Sequence, residues 1–149
     1  MARIEQLAHR LRFAIERVPR AELPLGMRVF PNGACGDASL LLGAYFVDSG
    51  VQGFGYVHGS RGVHDESRWT WHAWLERAGL VVDITADQFP DAPAAVIVSA
   101  NSTWHDGFAL EKTREPADFR QWQGGAISDL GHLYGLLRPV LFDAPGATS

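Results

Sequence analysis

The sequence has few cysteines, no long apolar run and no excess of positive charge, and each of these absences argues against a class of protein. It has one cysteine in 149 residues, which excludes an internal disulfide and makes a zinc site improbable on ligand type. No apolar run reaches the roughly 18 residues that a membrane span requires. Lys and Arg number 13 against 17 Asp and Glu, so clustered positive charge for nucleic acid or an anionic membrane is lacking. We therefore expect neither of those partners and no cofactor, and the sequence does not predict an oligomeric state.

The remaining composition is that of an ordinary globular protein. Hydrophobic residues make up 46% of the chain and charged residues 20%. The length suits one domain, and no linker or repeat divides it, so we predict a single domain over residues 1–149. Charges interrupt the apolar residues of the first 20 positions, which is unlike a signal peptide, and a cytoplasmic location is the default expectation.

Hydrophobic periodicity predicts helices followed by strands. An amphipathic helix is expected over residues 3–18, and a helix that is apolar on nearly all sides over 35–48, which places the second helix at the centre of the domain. The pattern then changes to short runs rich in β-branched and aromatic residues, which predict strands at 51–58, 69–76, 80–85 and 95–99. The segment 59–68 is expected to be a polar loop that joins the first two strands. Short helices are expected at 116–123 and 126–137, and the fold class is α+β with a mainly antiparallel sheet.

The cysteine is predicted to occupy the first turn of the buried helix. A turn made of Pro31, Asn32 and Gly33 leads directly to Cys35. Unpaired N–H groups and the helix dipole at this position favour a thiolate, which is the nucleophilic form of cysteine. Gly33 and Gly36 leave the sulfur uncrowded. The alternative is that Cys35 is a small core residue on the same helix face as its apolar neighbours.

A histidine and an aspartate are predicted to meet across a hairpin. If Leu75 faces Leu80 across a four-residue connection, then His72 lies opposite Asp83, within reach of an imidazole–carboxylate hydrogen bond. A slip of one residue would send the two side chains to opposite faces of the sheet. A carboxylate among aliphatic residues is costly unless it is paired, and His72 is the partner that this register offers.

These motifs together resemble the core of transglutaminase-like proteins and related papain-like enzymes. The resemblance rests on Gly-x-Cys at a helix start, on His-Ala-Trp-Leu-Glu and on Val-Asp-Ile-Thr, within residues 30–89; the continuation Ala-Asp-Gln-Phe is similar to that of bacterial proteins of this type. It implies a buried helix that carries Cys35 and packs on the sheet. It also implies that Cys35 is the nucleophile, His72 the general base and then acid, and Asp83 the orienting carboxylate.

The oxyanion site departs from the family pattern. Many papain-like enzymes have a glutamine shortly before the cysteine, and this chain has none there. Asn32 could take that role with the Cys35 backbone N–H, or it could be a plain turn residue. Trp74, Gly33 and Gly36 are the candidate substrate-binding residues. Trp74 belongs to a group of aromatic residues that could line a groove or belong to the core: Phe54, Tyr56, Trp69, Trp71 and Trp74.

The predicted chemistry is attack of a thiolate on a carbonyl, most simply an amide of a peptide or protein. A thioester would form and pass to water or to an amine, giving a peptidase, an amidase, or a glutamine deamidase or transglutaminase. The alternative is a non-catalytic peptide- or protein-binding module that keeps the fold.

Other polar residues allow further interpretations, for which the sequence gives weaker support. Zinc bound by His58, His64 and His72 with Asp65 fits no established ligand spacing, so no metal is expected. His105 is a second possible base or a loop histidine. Asp87 and Gln88 could contact the site, or they could simply form a turn.

Overall fold

A computed structural model describes residues 1–62, 70–111 and 114–142. Four α-helices and six β-strands lie within these ranges. The helices are α1 (Ala2–Glu16), α2 (Cys35–Asp48), α3 (Thr103–Asp106) and α4 (Gly125–Phe142). The strands are β1 (Gly55–Arg61), β2 (Thr70–Arg77), β3 (Leu80–Asp83), β4 (Ile97–Ser99), β5 (Ala109–Leu110) and β6 (Glu115–Pro116).

The six strands form one sheet in which every pairing is antiparallel. The order is β4-β3-β2-β1-β5, and β6 also pairs with β1. The prediction of an α+β chain with a mainly antiparallel sheet is therefore confirmed. The strands follow one another closely along the chain, which is why alternating short runs and turn signals revealed the sheet.

Helix α2 is the central element, as its composition predicted. Ten of its residues are buried, from Cys35 to Phe46, and it packs against β2, β1, α1 and α4. Gly43 allows the segment before α4 to approach, because a Cβ at Gly43 would lie only 1.9 Å from the carbonyl oxygen of Ala117. Helix α1 has the predicted amphipathic pattern and buries one face, which includes Leu7 and Leu11.

The predicted hairpin register is wrong by two residues. The structure pairs Leu75 with Val82 and Arg77 with Leu80, rather than Leu75 with Leu80. The connection contains only Ala78 and Gly79, at φ values of +48° and +84°, as in the tight turns whose twist matches that of the strands. A shift of two residues keeps every side chain on its predicted face, because the side-chain period of a strand is two. His72 and Asp83 are therefore diagonal neighbours on one face and not directly opposed.

Other element boundaries also differ from the predictions. Residues 59–61 belong to β1 rather than to the loop, and the rest of that loop lies mostly outside the described residues. The helix predicted at 116–123 is a short 3₁₀ turn, Phe119–Gln121. Helix α4 continues through Pro139, where the sequence predicted an end. Packing explains this, because Leu137 and Leu141 on either side of the proline are both buried. None of the described helices has the length and apolar character needed to cross a membrane.

Candidate active site

Cys35 is the first residue of α2. Ala34 precedes the helix and accepts its first backbone hydrogen bond, from Ala38, at 2.8 Å. Gly33 has a φ of +70°, which a residue with a side chain rarely adopts, and so it makes the turn that leads into α2. The predicted position of Cys35 is confirmed. Its side chain is 4% exposed and belongs to the main hydrophobic core.

His72 lies on β2 next to the start of α2. The second turn of α2 is hydrogen-bonded to the residue that follows His72 on β2. The Ser39 hydroxyl donates to the Ala73 carbonyl over 3.4 Å. The pairing of β2 with β3 stops at Leu75, so the ring of His72 lies beyond the paired part of β3. Burial lowers the pKa of His72, but hydrogen bonds to Asp83 and to Cys35 outweigh burial and raise that pKa to about 9. Cys35 lies about one helical turn before Ser39, so the Ser39–Ala73 hydrogen bond places the N-terminal part of α2 beside this part of β2.

Asp83 holds the ring from the other side. Its Oδ2 atom lies 2.6 Å from His72 Nε2, and its Oδ1 atom accepts a 2.9 Å hydrogen bond from the backbone N–H of Thr85. Asp83 is 1% exposed. Burial raises its pKa, but hydrogen bonds from His105 and His72 outweigh burial, so the pKa lies below its ordinary value. The pair predicted from the hairpin therefore forms, although by a diagonal contact.

His105 is a further member of this cluster. It lies in α3, 3% exposed, with Nε2 2.7 Å from the same Asp83 Oδ2 atom that binds His72. The Ser102 hydroxyl lies 2.5 Å from His105 Nδ1 and accepts a hydrogen bond from the His105 backbone N–H. The sequence analysis left His105 as a possible base or a loop residue. The available signal was Ser102 three positions earlier, a pattern typical of a helix N-cap.

Gln88 contacts the other nitrogen of the His72 ring. Its Nε2 atom lies 3.1 Å from His72 Nδ1 and donates to the Thr85 carbonyl at 3.3 Å. Asp83 occupies Nε2 of His72, so Nδ1 is the ring nitrogen that remains for another partner. Gln88 therefore contacts the imidazole directly and does more than form a turn.

A buried arginine fixes the segment that carries Asp83 and Gln88. Arg12 of α1 donates to the Ile84 carbonyl at 2.8 Å and to both carboxylate oxygens of Asp87 at 2.7 and 2.8 Å. Burial lowers the pKa of Arg12, but the contacts with Asp87 outweigh it and raise that pKa. Asp87 thus has a structural contact that the sequence did not predict. Its position restrains the backbone between Asp83 and Gln88.

Aromatic rings surround the imidazole. Phe89 meets the His72 ring edge-on with 4.9 Å between centroids, and Trp74, Trp104 and Phe108 lie at 5.6–5.8 Å. Trp74 is 1% exposed and packs against His105 at 4.6 Å. In this conformation it shields the hydrogen bonds of Asp83 from water. Its predicted role in binding substrate stays a prediction.

The remaining predicted residues lie at the turn before α2 and in its first turn. Asn32 is exposed, and its backbone N–H donates to the Val29 carbonyl at 2.9 Å. Its role at the oxyanion stays a prediction. No described atom lies within 4 Å of a Cβ built on Gly33, whereas a Cβ on Gly36 would lie 3.2 Å from the Tyr56 hydroxyl and 4.0 Å from Trp71 Cη2. Trp71 is 38% exposed and Tyr56 is buried.

The cluster also has the composition of a metal site. One ligand atom from each of His72, Asp83 and His105 lies within 4.8 Å of the others. Two ligands held about 2.0–2.2 Å from a tetrahedral zinc ion are about 3.3–3.6 Å apart. The N–O distances here are 2.6 and 2.7 Å, which suit direct hydrogen bonds better than shared coordination. Of the zinc ligands considered from the sequence, His64 and Asp65 lie outside the described residues, and His58 pairs with Glu115 at 3.3 Å.

Comparison with protein-family models, with curated proteins and with solved structures gave no match to this chain, so its site is interpreted from its own geometry.

Proposed function

We propose that this chain is a cysteine hydrolase or acyltransferase that acts on an amide of a peptide or protein. Cys35 would be the nucleophile, His72 the base and then the acid, and Asp83 the group that orients the ring. We include in this proposal a papain-like or transglutaminase-like core. The observation that supports it most is the 2.6 Å hydrogen bond between His72 and Asp83, on a strand to which α2, the helix that begins with Cys35, is bonded through Ser39.

The electrostatics of the site support a reactive thiol. A raised pKa of about 9 means that the His72 ring stays protonated at neutral pH when Cys35 and Asp83 lie against it. An imidazolium beside a sulfur at a helix N-terminus stabilises the thiolate. The position of Cys35 at the start of α2, with a raised pKa of His72 on the adjoining strand, therefore favours a nucleophile over a purely structural residue.

Each residue then has a defined part in the reaction. The Cys35 sulfur bonds to the substrate carbonyl carbon, and the π electrons of the carbonyl move to its oxygen. When the tetrahedral intermediate collapses, the C–N bond breaks and the amine leaves with a proton from His72 Nδ1. Water or a second amine then attacks the thioester carbonyl, and His72 accepts its proton. When this second intermediate collapses, the C–S bond breaks, the acid or the new amide is released, and Cys35 leaves as the thiolate. Asp83 keeps the hydrogen on Nε2, so that Nδ1 alone exchanges protons.

Alkylation of the single cysteine tests the proposal directly. We expect iodoacetamide to modify Cys35 well below pH 8, because the proposed mechanism makes this sulfur a nucleophile that is activated by His72. His72→Ala should abolish this low-pH reactivity. His132→Ala is the matched control, since His132 is an exposed histidine of α4, and it should leave the profile unchanged. The proposal fails if Cys35 of the wild-type protein reacts no faster than free cysteine across the pH range.

The acyl acceptor requires a separate screen. Peptides, glutamine side chains and acyl-donor and amine pairs can be compared for release of ammonia, a new amine or a cross-linked product. Turnover that Cys35→Ser eliminates would assign the substrate class. A reactive thiol without turnover of any of them would favour the alternative, a peptide- or protein-binding module.

A further inference from the structure

The mechanism leaves one requirement unassigned, which is a hydrogen-bond donor for the oxyanion besides the backbone N–H of Cys35. We propose that the hydroxyl group of Tyr56 is this donor. The inference rests on the proposed function, because an oxyanion forms only if Cys35 attacks a carbonyl. It makes Tyr56 a catalytic residue that contacts the reacting oxygen.

The position of the hydroxyl group is set by β1 and by the first turn of α2. Tyr56 pairs with Leu75 on β2 and with Glu115 on β6, so its backbone is held on both sides. Its ring meets Trp122 edge-on, with centroids 5.4 Å apart. The hydroxyl oxygen then lies 3.2 Å from where a Cβ on Gly36 would be. It therefore points at the N-terminal turn of α2, beside the residue that would carry the acyl group.

The surroundings of the hydroxyl suit a donor rather than a structural contact. Tyr56 is 6% exposed, and its hydroxyl forms no hydrogen bond with another residue of the described ranges. Burial and the neighbouring charge of Cys35 raise the pKa of Tyr56, so the phenol keeps its proton. Gly36, whose Cβ position faces the hydroxyl, directly follows Cys35, so both groups lie at the same end of α2. A buried donor aimed at a helix N-terminus is the arrangement that stabilises developing negative charge.

The absence of a side chain at Gly36 completes the geometry. Gly36 follows Cys35, and any Cβ there would press against the Tyr56 hydroxyl and approach Trp71. With glycine, the space between the phenol and the helix end remains available to a carbonyl oxygen. During attack, the carbonyl π electrons move to that oxygen, the phenol O–H donates a hydrogen bond to it, and no proton is transferred. On collapse the electron pair returns to the carbonyl, and the hydrogen bond weakens.

Comparison of two reactions of Cys35 tests this role. p-Nitrophenyl acetate acylates the sulfur through an oxyanion, whereas iodoacetamide alkylates it by direct displacement without one. In Tyr56→Phe we expect the acylation rate constant to fall by about 10²-fold, and the alkylation rate constant to stay unchanged. Tyr134→Phe is the matched control, because it removes another buried phenol oxygen, one that is bonded to Asp48 at 2.7 Å. It should change neither rate.

The outcomes separate this inference from the proposed function. If Tyr56→Phe acylates as fast as the wild-type protein, the donor role is wrong and the nucleophile remains. If acylation and alkylation fall by the same factor, Tyr56 acts on the thiolate and not on the oxyanion, which also overturns the inference. If the wild-type protein reacts with neither reagent faster than free cysteine does, the proposed function itself is wrong and the inference with it.

Discussion

His105 Nε2 lies 2.7 Å from Asp83 Oδ2, the same oxygen atom that receives His72 Nε2 at 2.6 Å. The Nε2 atoms of the two histidines face the same buried carboxylate, so each Nε2 must carry a hydrogen to donate. This fixes the tautomer of His72 and leaves Nδ1 as the atom that can exchange a proton. Among the described residues, Asp83 therefore has three donors, since the backbone N–H of Thr85 binds its other oxygen.

Asp83→Asn should leave the fold largely intact while sharply reducing acylation. The amide has nearly the shape of the carboxylate, but its NH₂ group donates and would meet ring nitrogens that also donate. His72 would then favour the hydrogen on Nδ1, and the base would be lost. We expect the acylation rate constant with p-nitrophenyl acetate to fall by about 10³-fold or more. Urea unfolding would verify the fold, and an unchanged rate would remove Asp83 from the mechanism.

His105→Phe should destabilise the protein and raise the pKa of His72 further. The substitution keeps an aromatic ring but takes one hydrogen bond from a buried carboxylate, at a cost of about 1–3 kcal/mol in the free energy of unfolding. With one donor fewer, the Asp83 carboxylate becomes a stronger acceptor for His72. NMR titration of the His72 ring measures this effect, and urea unfolding measures the loss of stability.

His105→Gln provides the matched comparison for that prediction. Its amide can still donate to Asp83, so the titration of His72 should return toward that of the wild-type protein. A merely structural role for His105 would be indicated if Phe and Gln at this position lowered stability without moving the His72 titration.

The stability of the protein should fall as the pH rises through 9. The pKa of His72 is about 9 in the folded protein and about 6.5 in an unfolded chain. Its contribution to stability is therefore fully present below pH 6.5 and is lost as the pH passes the folded value. The shift corresponds to about 3 kcal/mol.

Urea unfolding at pH 6 and at pH 10, in a reducing buffer, measures this loss. His72→Gln is the control, because the glutamine side chain does not titrate in this range. The difference in stability between wild type and His72→Gln should narrow at the higher pH. A difference that stays constant between the two pH values would contradict the assignment of the raised pKa to His72.

Gly36→Ala should lower acylation without lowering stability. The new methyl group would lie 3.2 Å from the Tyr56 hydroxyl, which must then move by a few tenths of an ångström. Alanine also favours a helix over glycine by about 0.5–1 kcal/mol. Gly135→Ala in α4 is the control, because no described atom lies within 4 Å of its Cβ position. It should gain stability and keep the acylation rate of the wild-type protein.

Much of the local structure could be predicted from the sequence. Helix α2 begins and ends at the predicted residues, and four of the strands fall near their predicted places. The reason is that both kinds of element have a local sequence signature: an apolar run bounded by turn residues for the helix, and alternating apolar residues for a strand. The pairing of His72 with Asp83 was also accessible, because an error of two residues in register does not change the face of a strand.

What the sequence determined by itself is therefore the identity of Cys35, His72 and Asp83 as candidates and the elements that carry them. Only the tertiary structure placed His105 against the Asp83 carboxylate, Gln88 against Nδ1 of His72 and the Tyr56 hydroxyl beside Gly36. These contacts join residues that are 16–22 positions apart in the chain. Local pattern does not encode such distances, because the packing of α2 and α3 against the sheet sets them.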